Sequence, residues 1–208
     1  MVLIETKNLT KTIKGKTVLS KVNLSIEKGK TYGFIGPNGS GKTMLLRAIA
    51  GLLYVPTNSI RFTVPISKGV IIENPAFIND FSGFDNLNYL ASIRHLVSKD
   101  QIMSVMKKVQ LNPKDTRKVK EYSLGMKQKL AFAQAIMESP DLLVLDEPTR
   151  GLDNSSVLNI RKILSEEQQR GATILIASHN KDDITELCQE VFYIENGHVT
   201  SERGNLDP

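Results

Sequence analysis

One glycine-rich segment constrains the fold of this chain more than any other feature. Residues Gly36–Thr43 spell Gly-Pro-Asn-Gly-Ser-Gly-Lys-Thr and fit the pattern G-x-x-x-x-G-K-[ST] at every fixed position. The segment follows a short apolar run, Lys30–Ile35, and precedes apolar residues at helical spacing over Thr43–Leu53. A strand, a glycine loop and a helix in this order are the context that the pattern requires. The sequence therefore predicts an α/β domain with this loop at the carboxyl end of a strand.

The composition of the loop predicts that it binds phosphate groups. Glycines let the backbone N–H groups converge on an anion, and the positive end of the following helix points at the same place. The ammonium of Lys42 can reach the β- and γ-phosphates of a nucleotide, and the Thr43 hydroxyl can ligate Mg²⁺. We therefore expect a nucleotide to be held by the whole segment: Gly36, Pro37, Asn38, Gly39, Ser40, Gly41, Lys42 and Thr43.

Strand and helix patterns alternate on both sides of a helical middle region. Strands are predicted over Val2–Lys7, Val18–Ile26, Lys30–Ile35, Val70–Ile72, Leu142–Leu145, Thr173–Ala177, Val191–Glu195 and His198–Ser201. Helices are predicted over Thr43–Leu53, Phe84–Gln110 with a break near Leu96–Lys99, Gly125–Glu138, Asn154–Arg170 and Lys181–Gln189. These patterns indicate one domain over residues 1–208, with an α/β core from 1–76 and 141–208. The remaining residues, 77–140, form a helical insertion in a mostly parallel core.

Composition and charge exclude several classes of protein. The chain of 208 residues has one cysteine, Cys188, so it forms neither an internal disulfide nor a tetrathiolate metal site. No apolar run approaches the roughly 20 residues that cross a bilayer, and the charged N-terminus does not resemble a signal peptide, so we expect a cytosolic chain. A net charge of +5 is compatible with a polyanion. No interleaving of arginines with aromatic residues indicates a nucleic-acid partner, so none is expected.

An acid pair follows the most apolar predicted strand. Leu142–Leu145 leads directly into Asp146 and Glu147. A buried parallel strand delivers both carboxylates to its carboxyl end, where open α/β sheets bind ligands. There Asp146 can serve the Mg²⁺ shell, and Glu147 is placed to polarise a water against the γ-phosphate.

Three further segments narrow the interpretation. Tyr122–Lys129 is Y-S-L-G-M-K-Q-K, Pro148–Asp153 is P-T-R-G-L-D, and Ser178-His179 follows the predicted strand Thr173–Ala177. With the glycine loop and the acid pair, these segments resemble the motifs of ABC-type ATPases, in the family order and across nearly the whole chain. The resemblance implies a P-loop NTPase core with a mostly parallel sheet, an N-terminal antiparallel β subdomain and a helical insertion.

The same resemblance implies ATP hydrolysis with ATP and Mg²⁺ as ligands. Two cassettes would close head to tail with ATP between them, so that Ser123 and Gly125 of one chain face the γ-phosphate held by Lys42 of the other. His179 would contact the γ-phosphate and help to hold the attacking water. Asp153 would lie at the dimer seam.

Four departures from the family pattern carry information. The segment Tyr122–Lys129 resembles the signature segment of the family. In it Leu124 and Met126 replace a glycine and the glutamine, while Ser123 and Gly125, which would face the phosphate, are kept. Ile13 stands where the family has an aromatic residue against adenine, which predicts loose selectivity for the base. Glu73 stands where the family has a glutamine, and as an anion it would ligate Mg²⁺ more strongly and join the catalytic set. Its segment, E-N-P-A-F, resembles the cassettes of lantibiotic-immunity and bacitracin-resistance exporters of Gram-positive bacteria.

We therefore expect an exporter ATPase on the cytoplasmic face of the membrane, bound to an integral membrane subunit. It would act as a homodimer or pair with a different cassette. The insertion over 77–121 would receive a short helix of that subunit, and its apolar residues Phe77, Phe81, Phe84 and Leu87 are either exposed or core. Two alternatives stay open: a cytosolic non-transport cassette, such as an iron–sulfur assembly ATPase, and a binding-only module.

Overall fold

The computed structural model describes residues 1–73 and 76–202. Asn74 and Pro75, which belong to the segment that suggested an exporter subfamily, lie outside the described residues, as do residues 203–208.

Nine strands and six α-helices account for most of the described residues. The strands are β1 (Val2–Ile13), β2 (Lys16–Glu27), β3 (Thr31–Ile35), β4 (Ile60–Phe62), β5 (Lys68–Ile71), β6 (Leu142–Asp146), β7 (Thr173–Ala177), β8 (Glu190–Glu195) and β9 (His198–Glu202). The helices are α1 (Lys42–Ala50), α2 (Gly83–Arg94), α3 (Lys99–Lys108), α4 (Leu124–Ile136), α5 (Asn154–Gln169) and α6 (Lys181–Leu187), with one 3₁₀ turn at Val119–Glu121.

The strands form two sheets, as the fold prediction required. A three-stranded antiparallel sheet has the order β2-β1-β4, and a six-stranded sheet has the order β5-β6-β7-β3-β8-β9. In the larger sheet every pair is parallel except the β8–β9 hairpin. Because β6, β7 and β3 are neighbours and parallel, the segments that follow them meet at one edge of the sheet.

The larger sheet separates two apolar clusters. Its central strands β6 and β7 are buried on both faces, and alternate residues serve opposite clusters. Leu143, Leu145 and Ile176 pack with the helices α2, α3, α4 and α5. Val144 and Leu175 pack with α1 and the antiparallel sheet. The predicted helical insertion thus shares one core with the parallel strands.

Helix boundaries follow local chemistry. Ser82, Ser98, Ser123 and Asp153 each accept a backbone N–H of the first turn, and Ser98 forms a capping box with Gln101. The first helix ends earlier than the expected Leu53, because Gly51 adopts a left-handed conformation and stops it after Ala50. The sequence prediction missed β4, which is only three residues long. Within the described residues, no helix is both long and apolar enough to cross a bilayer.

Candidate functional site

The glycine loop lies where the sequence predicts it, between β3 and the first turn of α1. Gly36, Gly39 and Gly41 have φ angles of 143°, 75° and 117°, which side chains rarely tolerate. A Cβ on Gly36 would also overlap the carbonyl oxygen of Ile194 on β8. The loop is therefore shaped by positions at which only glycine fits.

Lys42 closes this loop from within. Its side chain is buried, and Nζ donates to the carbonyl oxygens of Gly36 at 2.8 Å and Pro37 at 3.0 Å. Burial lowers the pKa of Lys42, and the nearby carboxylates of Glu147 and Asp146 oppose that shift. The ammonium thus lies in a preformed loop, next to acids, with partners that a phosphate can replace.

The first acid of the pair reaches the helix that follows the loop. Asp146 ends β6, and its Oδ2 accepts the Thr43 hydroxyl at 2.6 Å. The hydroxyl and the carboxylate both offer hard oxygen donors, which Mg²⁺ prefers, and they lie close enough to share one ion. Mg²⁺ needs only one or two protein ligands beside phosphate oxygens and water. The donor set therefore fits a magnesium–nucleotide complex.

Glu73, the third residue expected to serve Mg²⁺, has a different partner in the structure. It follows β5 with a positive φ of 61°, its side chain is 59% exposed, and its Oε1 lies 2.5 Å from Nη2 of Arg47. Arg47 is one helical turn beyond Thr43 on α1. The structure thus brings Thr43 and Asp146 together. Glu73 is instead paired with Arg47, one helical turn beyond Thr43. A metal role for Glu73 stays a prediction, and sequence reasoning missed Arg47.

Glu147 and His179 face each other across the edge of the sheet. Glu147 has a φ of 50°, and its backbone N–H donates to Ala177 at the end of β7 at 2.8 Å. Glu147 Oε2 accepts the backbone N–H of His179 at 3.4 Å, and Oε1 lies 3.4 Å from His179 Nε2. The two side chains that were expected to handle the water and the γ-phosphate are therefore in reach of each other.

Two buried acceptor atoms at the site have no hydrogen-bond partner among the described residues. They are Glu147 Oε1 and Ser40 Oγ, the latter within the glycine loop. Buried polar atoms are normally paired, so unpaired ones need an explanation. A polar ligand in this pocket, with its water shell, supplies one.

The signature segment, Tyr122–Lys129, includes the cap and the first turns of α4. Ser123 caps α4 by accepting the N–H of Met126 at 3.2 Å, and Gln128 Nε2 donates to the carbonyl of Pro148 at 3.0 Å, just after the acid pair. A Cβ on Gly125 would meet its nearest neighbour at 3.6 Å, so this glycine is not required by packing within the chain. In the described part of the chain no hydrogen bond links Ser123 to the glycine loop, and a role in a second chain's site stays a prediction.

Ile13 lies at the tip of the β1–β2 hairpin, half-buried and paired with Lys16. The turn-proximal part of β2 approaches the glycine loop, because a Cβ on Gly41 would lie 2.7 Å from the carbonyl oxygen of Val18. Tyr32 on β3, an aromatic residue close to the glycine loop in the sequence, is fully buried in the core. Ile13 as the residue against the base stays a prediction.

Sequence reasoning missed a buried carboxylate beside the site. Asp183 on α6 is 0% exposed and contacts Thr149, Arg161 and Ser178. The available signal was the adjacent pair Asp182-Asp183, since neighbouring helix positions point about 100° apart and one of them faces inward. Asp153 is the cap of α5, and hydrogen bonds from Ser155 and Ser156 lower its pKa.

Comparisons with known proteins agree with this geometry. The family model described as "ABC transporter" matches residues 19–150. The chain is 44% identical to an ABC transporter ATP-binding protein of Bacillus subtilis, YybJ, over 97% of both chains. It is 37% identical to the bacitracin transport ATP-binding protein BcrA of Enterococcus faecalis, covering 96% of this chain and 68% of that one. It is 36% identical to the lantibiotic transport ATP-binding protein SrtF of Streptococcus pyogenes, covering 97% and 90%.

Solved structures share the fold. An ATP-binding subunit of an ABC transporter superposes with a TM-score of 0.86 at 24% identity, covering 99% of this chain and 90% of that one. A cassette described as dimeric, in a post-hydrolysis state with ADP and Pi, also gives 0.86 at 20% identity, covering 98% and 100%. With the family match and the relatives above, these likenesses lead to one conclusion: the chain belongs to the ABC transporter family, as one of its ATP-hydrolysing cassettes.

Proposed function

We propose that this cassette drives export of amphiphilic peptide antibiotics through a separate membrane subunit. The observation that carries the ATPase part is the meeting of three segments at one sheet edge: the glycine loop, the acid pair and the histidine after β7. Phosphoryl transfer depends mainly on positioning and charge stabilisation, and this edge supplies both.

The contacts of the site residues support a proposed role for each of them. Gly36–Lys42 hold the phosphates through backbone N–H groups and one ammonium, which exchanges its carbonyl partners for phosphate oxygens. Thr43 and Asp146 would hold Mg²⁺, which when bound neutralises charge on the β- and γ-phosphates. Glu147 accepts a proton from the attacking water at Oε1, and His179, whose Nε2 lies 3.4 Å from that oxygen, orients the water.

A second cassette would complete the site. The Ser123 hydroxyl, Gly125 and the positive end of α4 form an anion site that no phosphate of the same chain is expected to fill. The partner would be a second copy of this chain or a different cassette.

The membrane subunit would dock on the helical region. Of the four apolar residues noted there, Leu87 is core and Phe77 and Phe84 pack against that core, while Phe81 is 39% exposed. The Phe81 ring meets Tyr89 edge to face at 6.3 Å. Asp80 and Asp85 flank the two rings in the same groove. We expect a short cytoplasmic helix of the membrane subunit, apolar on one face, to occupy it.

The names of two relatives support the proposed cargo. The proteins named for bacitracin and lantibiotic transport are 37% and 36% identical to this chain. Both names refer to amphiphilic peptides. The chain would then work on the inner face of the cell membrane, and the cargo would be selected by the membrane subunit.

Purification of a trapped complex tests this proposal. Tagged Glu147→Gln protein is isolated from cells of the source organism with ATP and Mg²⁺ present, and its partners are identified by mass spectrometry. Near-stoichiometric recovery of one multi-span membrane protein is expected. Recovery of water-soluble partners alone would overturn transport in favour of a cytosolic assembly ATPase.

Matched substitutions then test the docking groove. Phe81→Glu in the trapped protein is expected to lose the membrane protein and to keep ATP binding. Leu52→Glu is the control, because Leu52 is also an exposed apolar residue, at 64%, but follows α1 on the other side of the sheet. Equal loss in both variants would contradict the assigned surface.

A susceptibility assay tests the cargo. Deletion of the gene is expected to lower the bacitracin or lantibiotic concentration that stops growth, and Glu147→Gln should fail to restore it. Unchanged sensitivity to both peptide classes would remove this cargo assignment.

A further inference from the structure

Asp183 is a buried charged group that the catalytic roles above do not use. Its side chain is 0% exposed, and its partners come from helix α5 and from the segments that follow β6 and β7. Oδ1 accepts from Nε of Arg161 on α5 at 2.8 Å, while Oδ2 accepts the hydroxyls of Thr149 at 2.6 Å and Ser178 at 3.2 Å. A buried carboxylate with this many donors is held in one position.

Arg161 compensates the charge of Asp183. The guanidinium is itself buried, and its Nη1 lies 3.0 Å from Glu186, one turn further along α6. This pair ties α5 to α6 and leaves the second oxygen of Asp183 free for the two hydroxyls. Removal of Asp183 or Arg161 would leave an unpaired buried charge and destabilise the fold. The hydroxyls of Thr149 and Ser178 can be removed without breaking this ion pair.

Both hydroxyls belong to residues beside the catalytic groups. Thr149 is two positions after Glu147, in a tight turn where the N–H of Arg150 donates to the carbonyl of Glu147 at 3.2 Å. Ser178 immediately precedes His179. One carboxylate oxygen therefore fixes the loop of the base and the loop of the histidine to each other.

We propose that Asp183 is a positioning residue, which sets the Glu147–His179 geometry through Thr149 and Ser178. The inference rests on the ATPase activity assigned above. It predicts that loss of either hydroxyl shifts the two catalytic side chains while the phosphate loop stays intact.

Steady-state kinetics of three variants test this. Thr149→Val and Ser178→Ala are expected to lower kcat roughly 10- to 100-fold, because small misplacements of reacting groups cost that much. The KM for ATP should stay within about twofold, since the contacts of Gly36–Thr43 are untouched. Thr6→Val is the matched control: its hydroxyl is also buried and bonded, to Val22 and Leu24, but lies in the antiparallel sheet.

The double variant Thr149→Val/Ser178→Ala gives the decisive reading. If both hydroxyls act through Asp183, the fold-loss in kcat of the double variant should be clearly smaller than the product of the fold-losses of the two single variants. A kcat for Thr149→Val as high as that of Thr6→Val, or fully multiplicative losses, would overturn the proposal. Wild-type protein without ATP turnover would instead refute the ATPase assignment itself, so the two failures are distinguishable.

Discussion

Single residues at this site are constrained in two different ways. The glycine loop is constrained locally, by the positive φ angles of Gly36, Gly39 and Gly41, and local constraints leave a pattern in the sequence. Glu73 and Asp183 are constrained by residues far along the chain, Arg47 for one and Thr149 for the other. Those pairings arise from the tertiary structure, and no spacing in the sequence predicts them.

At this scale the sharpest prediction concerns Glu147. Glu147→Gln keeps the size of the side chain but removes the proton acceptor, so ATP turnover should fall at least about 100-fold. Nucleotide affinity should persist, because Lys42 and its loop are unchanged. Phosphate release and nucleotide titration measure the two quantities.

Glu195→Gln serves as control for that change, since Glu195 is exposed at the end of β8. Turnover above about one tenth of wild type in Glu147→Gln would mean that another group accepts the proton.

Elements as a whole followed the sequence patterns closely. The parallel strands were found because they are buried on both faces and form continuous apolar runs. The helices were found because their apolar residues recur at helical spacing. β4 was not predicted, because its three residues, one of them the exposed Arg61, are too few to show an alternation of apolar and polar positions. Its strand geometry comes from pairing with β1.

One contact between elements yields a prediction about stability. Gly69 on β5 is so close to α4 that an added Cβ would overlap the carbonyl of Ala135. Gly69→Ala should therefore push α4 from the sheet and lower the free energy of unfolding by about 1–3 kcal/mol. Urea denaturation followed by circular dichroism measures the change.

Gly125→Ala is the matched comparison within α4, where an added Cβ has room. The prediction would fail if both alanine variants were equally stable.

At the scale of the whole molecule, the same Gly125→Ala variant separates folding from assembly. Alanine favours helix over glycine by up to about 1 kcal/mol, so the isolated chain should be as stable or more stable. ATP turnover should nevertheless fall at least about tenfold, because the added methyl would meet the phosphate held by a second cassette. Unfolding and turnover assays on one preparation would reveal whether the two effects separate, and unchanged turnover would argue against the composite site.

The stability of the molecule should also depend on alkaline pH. Burial raises the pKa of the Cys188 thiol to about 12, whereas in an unfolded chain it is about 8.5. Above pH 8.5 the unfolded chain loses this proton and the folded chain keeps it, so stability is complete below that pH and falls as pH rises. The slope from this group approaches about 1.4 kcal/mol per pH unit.

Denaturation at pH 7.5, 8.5 and 9.5 tests this dependence. Cys188→Ala should show a shallower decline over the same interval. Equal slopes in the two proteins would rule out the thiol as the source.

The strand order of the larger sheet also dictates when the molecule can be completed during synthesis. β3, which carries the glycine loop, lies between β7 and β8, so its neighbours are made about 140 to 160 residues later. The N-terminal hairpin β1–β2 can pair early on the ribosome, but β3 keeps both edges unpaired until β7 and β8 have emerged. Long-range parallel pairing is slow, and open strand edges invite aggregation. The nucleotide site therefore forms among the last parts of the fold. A chain truncated before β8 lacks one of the two strands that flank β3 and cannot form the complete nucleotide site.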